Sequence, residues 1–255
     1  MKIGRCIGGF ENLDSFRKAA DFGYEFLEIP MAAIANFDAE RLMQIRGAAD
    51  KHGLPIAIAN QFFPNSLLLF GDSYDEDAVI KYTDTLLAKA VVLGVKIAVL
   101  GSGNARNRPD DMPEEAALSH LADIFGKLAD VAAKHDITIV LEPLNTGETN
   151  IINTSAEGID MVERVSHPNF QLLLDFFHMH KGGENTLESV RRAAPILRHC
   201  HLAAVPDRGF PSAERMGAYS EFLKALQEVG YGGRLSVECD FKNEAMSDGI
   251  GHLHI

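Results

Sequence analysis

The chain has 255 residues, 46% of them hydrophobic, and a formal net charge of -12. That length suits two average domains or one α/β barrel, and the apolar content excludes a disordered chain. The negative balance argues against DNA or RNA as a partner, because nucleic-acid affinity rests on Lys and Arg neutralising phosphates. No apolar run approaches the ~20 residues that cross a bilayer, and no basic stretch followed by an apolar one reads as a secretory signal. Cysteines stand at 6, 200 and 239 with no CxxC spacing, so a reduced, cytoplasmic setting is expected.

Strand-like and helix-like segments alternate along the chain. "KIGRCI" is a strand, followed by the helical "NLDSFRKAADFG" that stops on Gly23. "YEFLEIP" leads to "DAERLMQIRGAADKHG", with Asp38 as N-cap and Gly53 at the end. "LPIAIAN" precedes a long loop and the helix "EDAVIKYTDTLLAKAVVLG". "VKIAVLGSG" runs through "NARNRPDDM" into "PEEAALSHLADIFGKLADVAAKHD", where Pro113 is placed as the first helical residue. "ITIVLEP" precedes "SAEGIDMVERVS", "FQLLLDF" precedes "TLESVRRAA", and "LRHCHLAA" precedes "SAERMGAYSEFLKALQEVG". "RLSVEC" is the last strand.

Repeated β-α units with short apolar strands predict a parallel sheet covered by helices. Eight of them in this length predict a closed (β/α)8 barrel of the α/β class, read as a single domain over residues 1–255. No GxGxxG follows the first strand, which weighs against a dinucleotide-binding sheet. "FKNEAMSDGIGHLHI" is a poor helix, so the eighth outer helix is expected to be short or absent. The barrel wall there would be bare unless a partner subunit or the region of the first strand covers it.

Four consecutive strands end on a metal-capable side chain: Glu142, Asp175, His201 and Glu238. In a (β/α)8 barrel the C-terminal strand ends carry the functional groups, so these four can converge. The period of two supports it. With Glu142 facing in, Val140 and Thr138 face in as well, and Leu141, Ile139 and Ile137 face the helices. Asp175 groups likewise with Leu173 and Gln171, and Glu238 with Ser236, while Cys200 and Cys239 turn outward. The opposite register would bury the polar residues against helices. Three carboxylates in close quarters repel, and a divalent cation relieves the repulsion. Three oxygens with one imidazole suit Mn²⁺ first, with Mg²⁺, Co²⁺ or Zn²⁺ as alternatives. Glu28, at the end of the second strand, reads as a structural acid or one set behind the ligands. Arg106 in "GSGNARNRP" and Arg208 in "PDRGFP" are candidates to reach over the site.

"LEPLN" with "GETNIINT", "LLLDFFHM", "HCHLAAVPDRGFP", "GYGGRLSVEC" and "GSGNARNRP" carry a resemblance. Over essentially the whole length the sequence resembles the sugar phosphate isomerase/epimerase barrels. This xylose-isomerase-like superfamily includes D-tagatose 3-epimerase, hydroxypyruvate isomerase and inosose dehydratase. The resemblance implies that Glu142, Asp175, His201 and Glu238 hold the metal and that Glu142 and Glu238 are the acid/base pair. It implies that His178 contacts a substrate oxygen, that Glu148 and Arg208 contact substrate hydroxyls, and that the protein is a dimer or tetramer. His201 favours the epimerase and isomerase side over the dehydratases. Thr146 and Gly147 stand where many relatives carry a basic residue, and Ala204 where an acidic one is common.

The expected activity is isomerisation or epimerisation of a ketose or related keto-sugar. A proton moves by way of an enediolate held by the cation, with one carboxylate on each face of the sugar. Inosose-type dehydration uses the same enolate and is the first alternative. An abasic-site endonuclease of the same barrel class is weaker, since "IAIAN" and "AVLGS" supply no His for a multi-metal cluster. A sugar-binding barrel without turnover would not need two opposed carboxylates.

Overall fold

A computed structural model describes residues 1–10, 13–239 and 250–254. Its strands are β1 (Lys2–Cys6), β2 (Phe26–Pro30), β3 (Ile56–Asn60), β4 (Ile97–Leu100), β5 (Thr138–Leu141), β6 (Phe170–Asp175), β7 (Leu197–Leu202) and β8 (Arg234–Val237). They pair in parallel and in chain order, and β8 returns to β1, closing the (β/α)8 barrel. The helices are α1 (Asp14–Asp21), α2 (Met31–Ile34), α3 (Ala39–Lys51), α4 (Glu76–Leu93), α5 (Glu114–Lys134), α6 (Ser155–Val165), α7 (Phe176–Lys181), α8 (Thr186–Ala193) and α9 (Met216–Glu228).

Local chemistry sets the helix limits. The Asp38 carboxylate accepts from Arg41 N at 2.8 Å and starts α3. Thr154 and Glu157 form a reciprocal capping box at α6. Gly94 closes α4 at φ 97°, a left-handed value that a side chain would oppose. Pro113 stands just before α5 as its N-cap residue, one place earlier than the sequence suggests. Two short helices have no counterpart in the sequence pattern, α2 and α7, each inserted between a strand and the main outer helix after it. α7 begins where the sixth strand is expected to continue, because Asp175 Oδ1 accepts from Phe177 N at 2.7 Å and caps a helix there.

The two faces of the strands separate as the alternation requires. Val140 and Leu173 pack inside the barrel with Phe26, Ala57, Ile58 and Val99. Ile139, Leu141, Leu172, Leu174 and Cys200 belong to the larger core between strands and helices. Gly4 faces the Phe26 ring so closely that a Cβ there would lie 2.2 Å from it, which fixes the inward face of β1. The inner apolar cluster plugs the barrel, and polar side chains cluster inside the ring with it.

Most of the expected bare eighth segment, residues 240–249, lies outside the described residues. The residues after it correct the expectation of an open wall. Ile250 and Leu253, around the 3-10 turn Gly251–Leu253, join the same core as Ile3, Leu235 and Val237. Those three wall residues are fully buried. The chain itself therefore covers this face of β8 and β1. No described helix is long and apolar enough to cross a membrane.

Candidate metal centre

Glu142 follows β5, Asp175 ends β6, His201 lies in β7 and Glu238 follows β8. One ligand atom from each lies within 4.8 Å of the other three. His201 Nδ1 is 3.2 Å from Glu142 Oε1 and 3.5 Å from Glu238 Oε2. All but Glu238 are nearly inaccessible. Burial pushes the Asp175 carboxyl up, and the Glu142 charge adds to it. Burial also acts to raise Glu238, but His201 and then Arg208 hold it down to about 2.

The donor set fits a divalent cation. The capping bond takes Asp175 Oδ1, and Asp175 Oδ2 is buried with no hydrogen-bond partner. Arg208 Nη2 stands 3.8 Å from it, too far for a hydrogen bond, so the oxygen keeps a lone pair that a cation can take up. Three carboxylates and an imidazole form an oxygen-rich set of the kind that holds Mn²⁺ or Mg²⁺.

His201 is oriented from behind. Its Nε2 donates to Glu28 Oε1 at 2.8 Å, which leaves Nδ1 facing the other ligands. Glu28 also accepts from His199 Nε2 at 2.8 Å and from Ser236 Oγ at 2.5 Å, and it is fully buried. Burial favours the neutral acid, yet the two imidazoles outweigh it and keep Glu28 far below the usual carboxylate range. Burial opposes a charged His201, but Glu28, Glu238 and Glu142 together raise it well above its ordinary value. A carboxylate behind a ligating histidine fixes the tautomer and the ring plane. The sequence points to Glu28 but carries no signal for His199, which sits one inward position before His201.

Above the cluster opens a cavity of about 680 Å³ at the C-terminal strand ends. That volume is in the range of small-molecule sites. Glu142 and Glu238 line it, and so do His178, Glu148 and Arg208, whereas Asp175 and His201 lie behind. His178 is held from one side only. Asn145 N and Asn145 Nδ2 approach its Nδ1 at 3.3 and 2.7 Å, so Nδ1 accepts and the proton sits on Nε2. The Asn145 amide is fixed in this sense because its Oδ1 accepts from Gly147 N. His178 Nε2 is buried without a partner, 3.5 Å from Asp175 Oδ2.

Arg208 Nη2 donates to Glu238 Oε2 at 2.5 Å, and Nη1 donates to Glu148 Oε1 at 3.3 Å. Arg106 goes elsewhere. Its guanidinium donates to the carbonyls of Leu100, Gly101 and Glu142 at 3.2, 2.7 and 2.8 Å, and the side chain is 1% exposed. It braces the ends of β4 and β5 and is not among the residues that line the cavity. The loop glycine it braces is a steric choice. A Cβ on Gly101 would fall 2.4 Å from Glu142 Oε2. A Gly101→Ala chain is expected to fold normally and to lose about 100-fold in turnover by displacing that carboxylate. Parallel melting and rate measurements check it, and an equal loss of both would contradict it.

The family is decided by the match of residues 16–254 to the xylose isomerase-like TIM barrel. This chain belongs to that family. A probable ketose 3-epimerase of Synechocystis is 26% identical over 243 residues, 92% of this chain and 80% of that one. Among solved structures, the D-psicose 3-epimerase of Clostridium cellulolyticum with D-tagatose superposes with a TM-score of 0.82 at 23% identity. The match covers 94% of this chain and 85% of the other. A protein of Brucella melitensis named AP endonuclease, family 2, also reaches 0.82 at 24% identity, covering 99% and 98%. At such identity the two structural likenesses establish the shared barrel and leave the reaction to the site.

The sequence alone does not single out Cys6 or Asn60. Cys6 ends β1, across the ring from β5, and Asn60 ends β3. Asn60 Nδ2 donates to Glu238 Oε1 at 3.1 Å and to Cys6 Sγ at 3.7 Å. Burial, then the charges of Glu28 and Glu238, push the Cys6 thiol well above its ordinary range.

Proposed function

We propose that this barrel is a divalent-metal-dependent epimerase or isomerase of a ketose, with Mn²⁺ as the preferred ion and Glu142 and Glu238 as its acid/base pair. Membership of the family and kinship with sugar epimerases over nearly the whole chain support an isomerase-type enzyme. One observation carries the finer reading: of four clustered metal-capable side chains, Glu142 and Glu238 alone also line the cavity. They come from β5 and β8, on different sides of the ring, so a sugar between them meets a carboxylate on each face.

A bound cation would supply charge that polarises the substrate carbonyl and acidifies the neighbouring C–H. Asp175 and His201, behind the cavity, serve to hold it. Glu142 or Glu238 takes the proton from the carbon next to the carbonyl, and the other carboxylate returns one from the opposite face. The His178 Nε2–H, aimed forward by Asn145, donates to a substrate oxygen. Arg208 and Glu148 orient the hydroxyls near the reacting carbons.

The test is a panel of free ketoses, keto-acids and sugar phosphates incubated with Mn²⁺ in D₂O and followed by NMR. Deuterium is expected at the carbon flanking the carbonyl of a ketose, and a chelator should abolish it. Loss of water from the substrate would identify a dehydratase instead. Nicking of abasic DNA without any sugar exchange would turn the assignment to an endonuclease.

A further inference from the structure

A second ligand set, containing sulfur, shares two residues with the oxygen-rich centre. Cys6 ends β1 directly beside Glu28 in the sheet register. The alternation that puts Gly4 against the inward Phe26 ring also turns Cys6 into the barrel. Its side chain is 6% exposed. Ligand atoms of Cys6, His201 and Glu238 all lie within 4.8 Å of one another. Asn60, itself 5% exposed, bonds the thiol and the Glu238 carboxylate through one amide nitrogen, and so holds the two side by side.

The chemistry of this set differs from that of its neighbour. One thiolate, one imidazole nitrogen and one carboxylate oxygen, with a fourth position open to water, match the tetrahedral preference of thiophilic divalent ions. Glu142, Asp175, His201 and Glu238 offer three carboxylates and no sulfur, which suits harder ions. His201 has a single nitrogen free of Glu28, so it can serve only one ion at a time. We propose that Cys6, His201 and Glu238 form a second cation site, selective for soft divalent metals such as Cd²⁺ and Zn²⁺, and that filling it empties the oxygen-rich centre. As the metal–sulfur bond forms, the Cys6 proton passes to water and the sulfur lone pair becomes the donor. Only the exclusion of the harder ion rests on the function proposed above.

The test is a titration of the full chain, stripped of metal, with Cd²⁺. An ultraviolet thiolate-to-cadmium charge-transfer band is expected to saturate at one equivalent. It should vanish in Cys6→Ser and Cys6→Ala and persist in Cys200→Ser and Cys239→Ser, with circular dichroism showing each variant folded. In chain preloaded with Mn²⁺, the signal of free aqueous Mn²⁺ in electron paramagnetic resonance should grow in step with the band. Cd²⁺ binding detected by calorimetry without the band overturns the proposal. So does a band that survives in both Cys6 variants, or one that grows while Mn²⁺ stays bound. A Cys6-dependent band in a chain that never binds Mn²⁺ would uphold the sulfur site and sink the oxygen-rich one.

Discussion

Glu142→Gln and Glu238→Gln are each expected to lower turnover by about 10²–10⁴-fold, the usual contribution of a positioned acid or base. Glutamine keeps the shape and one oxygen while removing the proton acceptor. The two variants should differ in partial reactions. Each blocks proton removal on its own face, so exchange of the solvent label should survive for one epimer of the sugar and fail for the other. The Glu238 variant also releases Arg208, which donates to Glu238 Oε2 in the parent chain, so its KM should rise as well. Single-turnover NMR in D₂O with each epimer separates these outcomes. Equal residual exchange with both epimers in both variants would remove the two-faced mechanism.

Glu28→Gln should produce the second large effect, although Glu28 is not among the residues lining the cavity. Its carboxylate accepts two imidazole N–H groups and a hydroxyl in a fully buried setting. A glutamine offers one acceptor oxygen and turns an NH₂ toward a ring N–H. Metal affinity is expected to fall about 10–100-fold, as for other carboxylates behind a ligating histidine. Breaking a buried charged cluster costs about 3–5 kcal/mol, or roughly 10 °C in melting temperature for a chain of this size. Acid sensitivity follows from the sign of the shift. Glu28 is depressed in the folded chain from an ordinary value of 4.5. Its contribution is therefore complete above 4.5 and is lost as the pH falls toward the folded-state value. The stability gap between parent and variant should narrow below that pH. Calorimetric metal titration and melting across pH check both parts. An unchanged metal affinity would show that Glu28 does not set the ligating nitrogen of His201.

The residues that make the site legible lie on strands whose meaning is local. The alternation in "ITIVLEP" and "FQLLLDF" says which residues face in, and an inward carboxylate at a strand end needs a partner wherever it is placed. Glu142, Asp175, His201 and Glu238 stand out on that ground, and the structure gathers them within 4.8 Å. The departures come from contacts that no local pattern encodes. Arg106 and Arg208 look alike in their loops, yet one turns to backbone carbonyls and the other to carboxylates. The choice depends on which unsatisfied groups the neighbouring strand ends present.

By itself, then, the sequence determined the number and order of the strands, their inward faces and the four carboxylate and imidazole ends. Period-two alternation and helix punctuation are carried by residues a few places apart. Only the tertiary structure decided what meets those ends from across the ring. Closure of β8 on β1 brings Cys6, Glu28 and Asn60 to His201 and Glu238, although 173 residues of sequence separate Glu28 from His201 and 178 separate Asn60 from Glu238. The tilt and stagger that close a barrel are properties of the whole ring, and they set those distances.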